Sequence, residues 1–349
     1  MMRNPMTSLL LLALLTLSLH GAAKDKAEIV RQAMDLEPGE TIERKVCIWD
    51  LAGRNGPIFQ AAQDQRTRIM QYGVEIQLEP YTNEGVMVDA LKSERCDAAL
   101  MTGLRARLFN TYTGTVDAIG AVPSLKHMRT LLKVLAHPSS ADKMVSGEYE
   151  TLGIAPGGAA YVFVNDREIN TLAKAAGKKV AVLNYDETQA EMVAQVGATP
   201  VPTDITRAPK MFNNGVVDVL AAPLVAYEVM ELYKGMEPDG GIINLPLAQI
   251  TMQLIGRDDR FPPEVAQVVR EAFYNNFDRI TERLHGYSSK VPDKWWIEIP
   301  PEDKQEYENM MQQARNQLRK DDYYAGAMLD LQRRIRCKYD ASRAECTQN

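Results

Sequence analysis

Two segments of this sequence describe the same local structure, and they limit the folds open to the chain. "ALKSERCDAALMTG" (90–103) and "MFNNGVVDVLAAP" (211–223) each pass from a helix-like stretch through a polar break to an aspartate, Asp97 or Asp218, and then to small and apolar residues. A helix followed by a buried strand is the basic joint of an α/β unit. The repetition predicts two α/β units, although helix-to-strand joints also resemble one another by chance.

The flanking sequence extends both units. The first series is predicted as strands "RKVCIWD", "VEIQLEPY" and "CDAALMTG", separated by helices that begin near Pro57 and Glu84. The second series contains strands "AAYVFVN", "KKVAVLNYD", "TPVPTD" and "VVDVLAAP", with helices "REINTLAKAAG", "ETQAEMVAQVG" and "TRAPKMFNNG" between them. Alternation of strands and helices predicts mostly parallel sheets flanked by helices.

The last third of the sequence has a different pattern. "AQITMQLIGRDD" is predicted as a strand, "FPPEVAQVVREAFYNNFDRITERL" as one long amphipathic helix, 288–304 as a loop, and the remainder as one or two further helices. The predicted organisation is a first lobe (44–125 with 240–260), a second lobe (126–239) and C-terminal helices (261–349) that pack across the lobes.

The N-terminus has the pattern of an export signal. Residues 1–23, "MMRNPMTSLLLLALLTLSLHGAA", contain a basic residue, an apolar run and a small-residue cleavage site after Ala23. An uncleaved membrane anchor is the alternative, but the apolar run is shorter than the ~20 residues that a spanning helix needs. The sequence predicts a periplasmic protein that is not inserted in the membrane after cleavage.

Four cysteines fit an oxidising compartment. Cys47 and Cys96 begin strands that we expect to be neighbours, and Cys337 and Cys346 close a short loop. We predict two disulfides in that pairing, with four unpaired thiols as the alternative.

No familiar catalytic or metal-binding motif occurs in the sequence. There is no HExxH, paired CxxC, GxGxxG after a strand, P-loop or GxSxG, so neither enzyme activity, a metal nor a cofactor is predicted. Asp97 and Asp218 could form an acid–base pair, but residues that begin strands more often bind backbone groups. A net charge of −6 argues against a nucleic-acid partner and against an anionic membrane surface as a partner.

Ligands of open parallel sheets bind beyond the carboxyl ends of the strands, which selects candidate residues. In the first unit these are Trp49, Asp50, Arg54, Tyr81, Thr102 and Arg105. In the second unit these are Tyr161, Asn184, Tyr185, Asp186, Asp204, Pro223 and Tyr227. Asp50 and Asp186 with the aromatic residues suit a cationic ligand, whereas Arg54 and Arg105 suit an anion, and the sequence leaves both open.

The order of these segments resembles the extracytoplasmic solute-binding proteins of TRAP-type transporters, the DctP-like family. The resemblance covers roughly Arg44 to Leu284 and includes "MVDALKSERCDAAL", "LAKAAGKKVAVL", "VGATPVPTD", "MFNNGVVDVLAAP" and "RDDRFPPEVAQVVREAF". A smaller branch of that family, labelled efflux-associated, is similar in the opening of its first strand, here "VCIWD".

The resemblance implies a two-lobe periplasmic binding protein fold of type II. It implies a monomeric receptor that captures a small molecule between its lobes and presents it to membrane transporter subunits. A ligand-sensing or efflux-associated accessory protein is the alternative. At Ala181 the family has an arginine that grips a ligand carboxylate, and alanine cannot make that contact. Simple C4-dicarboxylates and 2-oxo acids are therefore expected to bind poorly.

Overall fold

The computed structural model of the protein describes residues 26–346, which form two compact units. The first unit lies within Met1–Leu100 and Gly256–Arg270, and the second within Met101–Ile255 and Glu271–Asn349. The predicted signal peptide, residues 1–23, falls outside the described residues.

The strands are β1 Ile42–Trp49, β2 Val74–Tyr81, β3 Ala98–Thr102, β4 Val145–Ser146, β5 Tyr149–Val164, β6 Lys179–Leu183, β7 Thr199–Thr203, β8 Val219–Pro223, β9 Gly241–Arg257 and β10 Trp296–Ile297. The first eight α-helices are α1 (26–33), α2 Pro57–Gln63, α3 Arg66–Met70, α4 Glu84–Lys92, α5 Gly103–Ala106, α6 Thr111–Gly114, α7 Leu125–Leu135 and α8 Ala141–Met144. The later ones are α9 Glu187–Gln195, α10 Ala208–Asn213, α11 Ala226–Val229, α12 Tyr233–Met236, α13 Pro263–Asn275, α14 Phe277–Ser288, α15 Pro301–Lys320 and α16 Gly326–Tyr339.

In the first unit, β1 pairs in parallel with β2 on one side and with β3 on the other. Phe59 of α2 and Met87 and Leu91 of α4 are fully buried. A disulfide joins Cys47 to Cys96 with a Cα–Cα distance of 5.9 Å, as the neighbouring strands predict. The first predicted disulfide is confirmed.

The sheet of the second unit has the order β9-β5-β8-β6-β7. β6 is parallel to β7 and β8, β5 is antiparallel to β8, and the short β10 pairs in parallel with β9. Helices α7 and α16 bury Leu131, Met328 and Ile335 in one apolar cluster. Phe163 and Phe212 belong to another, against the sheet.

The second disulfide is also confirmed. Cys337 and Cys346 are bonded with a Cα–Cα distance of 5.6 Å. The loop that they close brings Glu345 into a bidentate hydrogen-bonded ion pair with the buried Arg336.

Two helix ends depend on glycine. Gly73 follows α3 with φ of 79°, and Gly215 follows α10 with φ of 67°. An L-residue with a side chain is strained at these angles, so glycine allows the chain to leave the helix and enter the next strand.

The helix predicted over 167–177 is wrong, because only Ala173–Ala175 form a short 3-10 turn there. The Asp166 carboxylate accepts from the N–H of Glu168 at 2.9 Å, and the Thr171 hydroxyl accepts from the N–H of Lys174 at 3.3 Å. These local bonds satisfy the backbone in a turn conformation and compete with the helix.

The single long helix predicted from Pro262 is two helices, α13 and α14, with a break at Asn276. The Asn276 side-chain amide donates to the carbonyl of Ala272 at 2.7 Å. Asparagine offers the backbone such alternatives at helix ends, which amphipathic periodicity does not reveal. The predicted loop over 288–304 also contains β10, and the helix after Pro57 is divided into α2 and α3.

Candidate functional site

In the first unit, β1 and β2 end side by side. Trp49 lies opposite Tyr81 in the parallel register, and the N–H of Asp50 donates to the Tyr81 carbonyl at 3.0 Å. The Tyr81 hydroxyl donates to Glu79 at 3.1 Å. Trp49 is 5% exposed, and its indole N–H has no hydrogen-bond partner within the described structure. A buried N–H without an acceptor lowers stability by ~1–3 kcal/mol. Of these two aromatic residues, Trp49 is therefore the better candidate to donate a hydrogen bond to a ligand.

The Asp50 carboxylate has a structural role at the same edge. It accepts backbone hydrogen bonds from Ala52 at 3.0 Å, Ile58 at 2.7 Å and Phe59 at 3.1 Å. The last two donors are first-turn N–H groups of α2 that have no partner within the helix. Arg54 lies in the loop that Asp50 organises, with its guanidinium carbon 5.5 Å from the Phe59 ring centre.

In the second unit, two candidate residues from different strand ends are in contact. β3 ends at Thr102, whose hydroxyl oxygen accepts from the N–H of Arg105 at 3.3 Å and starts α5. Tyr185 follows the end of β6 by two residues. The Arg105 guanidinium carbon lies 3.4 Å from the centre of the Tyr185 ring. This is cation–π stacking at close range, worth ~0.5–2 kcal/mol.

A third element, the turn between α15 and α16, contributes to the same region. Tyr323 in this turn hydrogen-bonds to Asp186, whose carboxylate also accepts from the N–H of Gln189 at the start of α9. The guanidinium carbon of Arg107 lies 4.2 Å from the Tyr323 ring and 5.1 Å from the Tyr324 ring. We call these residues the Arg–Tyr cluster: Arg105, Arg107, Tyr185, Asp186, Tyr323 and Tyr324.

Electrostatics keep the Tyr323 phenol protonated. Burial raises its pKa, the Arg107 cation opposes that rise, and the Asp186 charge adds to it. The phenol therefore acts as a hydrogen-bond donor to Asp186 at neutral pH. Sequence reasoning missed Arg107, Tyr323 and Tyr324, since the last two lie far along the chain and their sequence signal is no more than a tyrosine pair in a turn.

Two predicted aromatic residues lie in other contacts. Tyr161 packs edge-on against Trp296, with ring centres 5.4 Å apart. Tyr227 is 6% exposed in an apolar cluster, and its ring centre is 5.9 Å from that of Tyr233. Tyr227 is thus placed as a core residue.

The remaining predicted residues differ in their exposure. Asn184 is exposed, and Pro223 is half-buried opposite Ala160 on the neighbouring strand. The Asp204 carboxylate accepts 2.9 Å hydrogen bonds from the N–H groups of Thr206 and Arg207, so it stabilises the turn before α10. Their role as ligand contacts stays a prediction.

Ala181 is a core residue of the second unit. It is 9% exposed and belongs to the apolar cluster that contains Phe163 and Phe212. An arginine at this position would have to displace apolar packing.

A buried polar network links Asp117 to β9. Its carboxylate accepts from the N–H of Thr251 at 3.0 Å and from the Thr251 hydroxyl at 2.5 Å. Gln253 donates to the Thr251 hydroxyl at 3.0 Å and to the Thr113 carbonyl at 2.9 Å. Burial raises the pKa of Asp117 to about 7, against the opposing effects of the Thr251 hydrogen bonds and the Arg107 cation.

Over residues 26–346 the structure holds no cluster of three or more His, Cys, Asp or Glu side chains suited to a metal ion. In the same range, no helix has the length and apolar composition needed to cross a membrane.

Comparisons with known proteins identify the family and the fold. Residues 46–349 match the family model described as "Solute-binding protein AdeT 1/2". The chain is 40% identical over 302 residues to "Probable solute-binding protein AdeT1" of Acinetobacter baumannii, covering 86% of this chain and 99% of that protein.

Solved structures share the fold at low sequence identity. A TRAP periplasmic solute-binding protein from Desulfovibrio salexigens, with bound orotic acid, superposes with a TM-score of 0.70 at 15% identity, covering 85% of this chain and 99% of that one. A second, from Ralstonia eutropha H16 with bound (S)-2-acetolactate, gives a TM-score of 0.67 at 13% identity, with coverages of 85% and 99%. The fold class predicted from the sequence is confirmed, and the chain belongs to the AdeT 1/2 family of solute-binding proteins.

Proposed function

We propose that this chain is a non-catalytic periplasmic receptor that captures a small solute and delivers it to the membrane subunits of a TRAP-type transporter. The membership of a solute-binding family supports the receptor role. The TRAP fold and the signal-like residues 1–23 support the transporter and the compartment.

The contact between Arg105 and Tyr185 is the observation that best supports a ligand site in this region. These residues follow the carboxyl ends of two strands, the edge at which open parallel sheets bind ligands. Asp186 and Tyr323 continue the same region, so a solute there would meet a cation, aromatic faces and a phenol–carboxylate pair.

The solute that best fits this site has an acidic group and a flat or apolar body. A guanidinium stacks through its face and donates N–H groups from its edge, so it can bind a ring and a carboxylate at the same time. The two solved relatives bind organic acids, orotic acid and acetolactate. Since Ala181 cannot supply a second bidentate arginine, simple C4-dicarboxylates are expected to bind more weakly than ~1 mM.

Native mass spectrometry of freshly purified protein tests this proposal, because it identifies a co-purified solute without assuming its identity. Arg105→Ala and Tyr185→Ala should each weaken binding of that solute by ~1–3 kcal/mol in a thermal-shift titration. Arg207→Ala, which removes an exposed arginine outside the Arg–Tyr cluster, is the matched control.

A basic solute whose affinity depends on Asp186 and not on Arg105 would contradict the acidic ligand but not the receptor role. No solute retained by the wild-type protein, together with no thermal shift across acids, amines and amino acids, would contradict both. Reconstitution with the TRAP membrane subunits encoded nearest to the gene tests delivery, because transport should require this chain.

A further inference from the structure

Helices α7 and α16 pack against each other where Tyr339 meets the first turns of α7. The Thr130 and Tyr339 hydroxyls are 2.6 Å apart, and the His127 ring lies edge-on to the Tyr339 ring at 4.9 Å. The Lys126 ammonium lies 4.2 Å from the centre of the same Tyr339 ring. The end of α16 is therefore fixed against the start of α7.

These two helices carry charge opposite to that of the chain. α7 contains Lys126, Arg129 and Lys133 and no acidic residue, and α16 contains Arg333, Arg334, Arg336 and Lys338 with Asp330. Their net charge of +6 within a chain of −6 leaves −12 for the rest of the sequence. The positive charge is concentrated on these two helices, and the net charge of the chain conceals it.

Part of this charge is neutralised internally. Arg336 pairs with Glu345, and Arg129 pairs with Asp278. Four further cations of these helices are exposed and form no ion pair in the part of the chain that the structure describes. We call these four residues the basic face: Lys126, Lys133, Arg334 and Lys338.

Apolar side chains are exposed on the two sides of α7 that flank Lys126 and Lys133. Leu125 is 39% exposed and Val134 is 38% exposed, each next in sequence to a lysine of the basic face. Near Arg334, the Lys143 ammonium lies 5.2 Å from the Tyr112 ring. Exposed cations flanked by aliphatic side chains and tyrosines are the composition of a surface that lies at a lipid–water interface.

We propose that the basic face binds the anionic headgroups of a phospholipid membrane peripherally. The cations would contact phosphate, Leu125 and Val134 would enter the headgroup boundary, and the negative remainder of the chain would be repelled from the surface. Binding would thus be oriented as well as attractive. The exposed aliphatic residues favour a lipid surface over an acidic protein, which would engage the charges alone.

Vesicle sedimentation tests this with the chain from Lys24 to Asn349, the product of the predicted cleavage. The probes are phosphatidylcholine vesicles and vesicles in which phosphatidylglycerol replaces about a third of that lipid. Glutamate replaces the four residues of the basic face in one variant. In the matched control it replaces Arg207, Lys210, Lys304 and Lys320, one arginine and three lysines that are also exposed.

We expect binding only to the anionic vesicles, lost at ~0.5 M salt, and at least ~10-fold weaker in the basic-face variant than in the control. A second variant with glutamine at the same four positions removes the charges without reversing them. Melting curves show whether each variant is folded. Equal binding to both vesicle types, or equal losses in variant and control, would overturn the proposal. Equal affinity for polyglutamate and for anionic vesicles would assign the face to an acidic protein instead.

Discussion

Asp97 and Lys45 exchange two short hydrogen bonds across the start of neighbouring strands. The Asp97 carboxylate accepts from the Lys45 N–H at 2.7 Å, and the Asp97 N–H donates to the Lys45 carbonyl at 2.8 Å. Asp218 and Lys179 make the same pair, both at 2.8 Å. The repeated sequence segment therefore makes the same pair of hydrogen bonds to the backbone in both units, where a strand begins beside its parallel neighbour. This geometry supports the backbone-binding role over the acid–base pair.

Replacing either aspartate should weaken the fold. Asp97→Ala or Asp218→Ala leaves a strand N–H without its acceptor, so each should lower the free energy of unfolding by ~1–3 kcal/mol. Urea denaturation measures the loss, with Asp142→Ala, at an exposed position in α8, as the control. Unchanged midpoints for both variants would show that the carboxylate bonds contribute nothing.

Ala181→Arg should destabilise the second unit and should not create an acid-binding clamp. The larger charged side chain would be forced into apolar packing near Phe163 and Phe212, a loss of ~2–5 kcal/mol. Ala173→Arg, at an exposed position, is the control and should melt like the wild type. A stable Ala181→Arg protein with new affinity for succinate would contradict this placement of the side chain.

Stability should fall as the pH rises toward neutrality because of Asp117. Its pKa is raised from 3.8 to about 7, so between these values the unfolded chain ionises while the folded protein keeps the proton. That difference lowers stability by up to ~4 kcal/mol by pH 7, with little further change above it.

Asp117→Asn should remove this pH dependence, because the amide keeps a carbonyl acceptor for the Thr251 N–H without titrating. Urea midpoints at pH 5 and pH 8 measure the effect, with Asp142→Asn as the control. A wild-type slope that persists in Asp117→Asn would assign the titration to another group.

Removing the C-terminal disulfide should lower the stability of the protein, although the loop that it closes is short. Cys337→Ser with Cys346→Ser should lower the free energy of unfolding by ~2–3 kcal/mol, because the unfolded chain regains entropy. The loop also positions Glu345 against the buried Arg336. The loss of stability at this end of α16 should therefore exceed the loss that follows from breaking a surface ion pair. Hydrogen exchange at the end of α16 should rise in this variant. Four free thiols in denatured, unreduced protein would contradict both disulfides.

The local elements were determined largely by the sequence. Alternation and helical periodicity located β1, β2, β3 and α9, since these patterns depend on which side chains face the core. Strand adjacency also predicted the disulfide between Cys47 and Cys96. Periodicity failed over 167–177 and at Asn276, where short side-chain bonds to the backbone decide the conformation.

The candidate site was decided by tertiary structure. Its strand-end members, Arg105 and Tyr185, followed from the general geometry of parallel sheets, but their stacking required the fold to bring two strand ends together. Tyr323 reaches Asp186 from a turn between two C-terminal helices, and no local pattern reports such a distant contact.

For charge as well, the sequence determined the total and the tertiary structure determined the positions. The sequence by itself determined a net charge of −6, which argues against an anionic partner. Only the packing of α7 against α16 placed Lys126 and Lys338 on one face around Tyr339. Composition sums charges without regard to position, whereas electrostatic attraction at a surface falls off within about 10 Å and depends on which charges the fold places together.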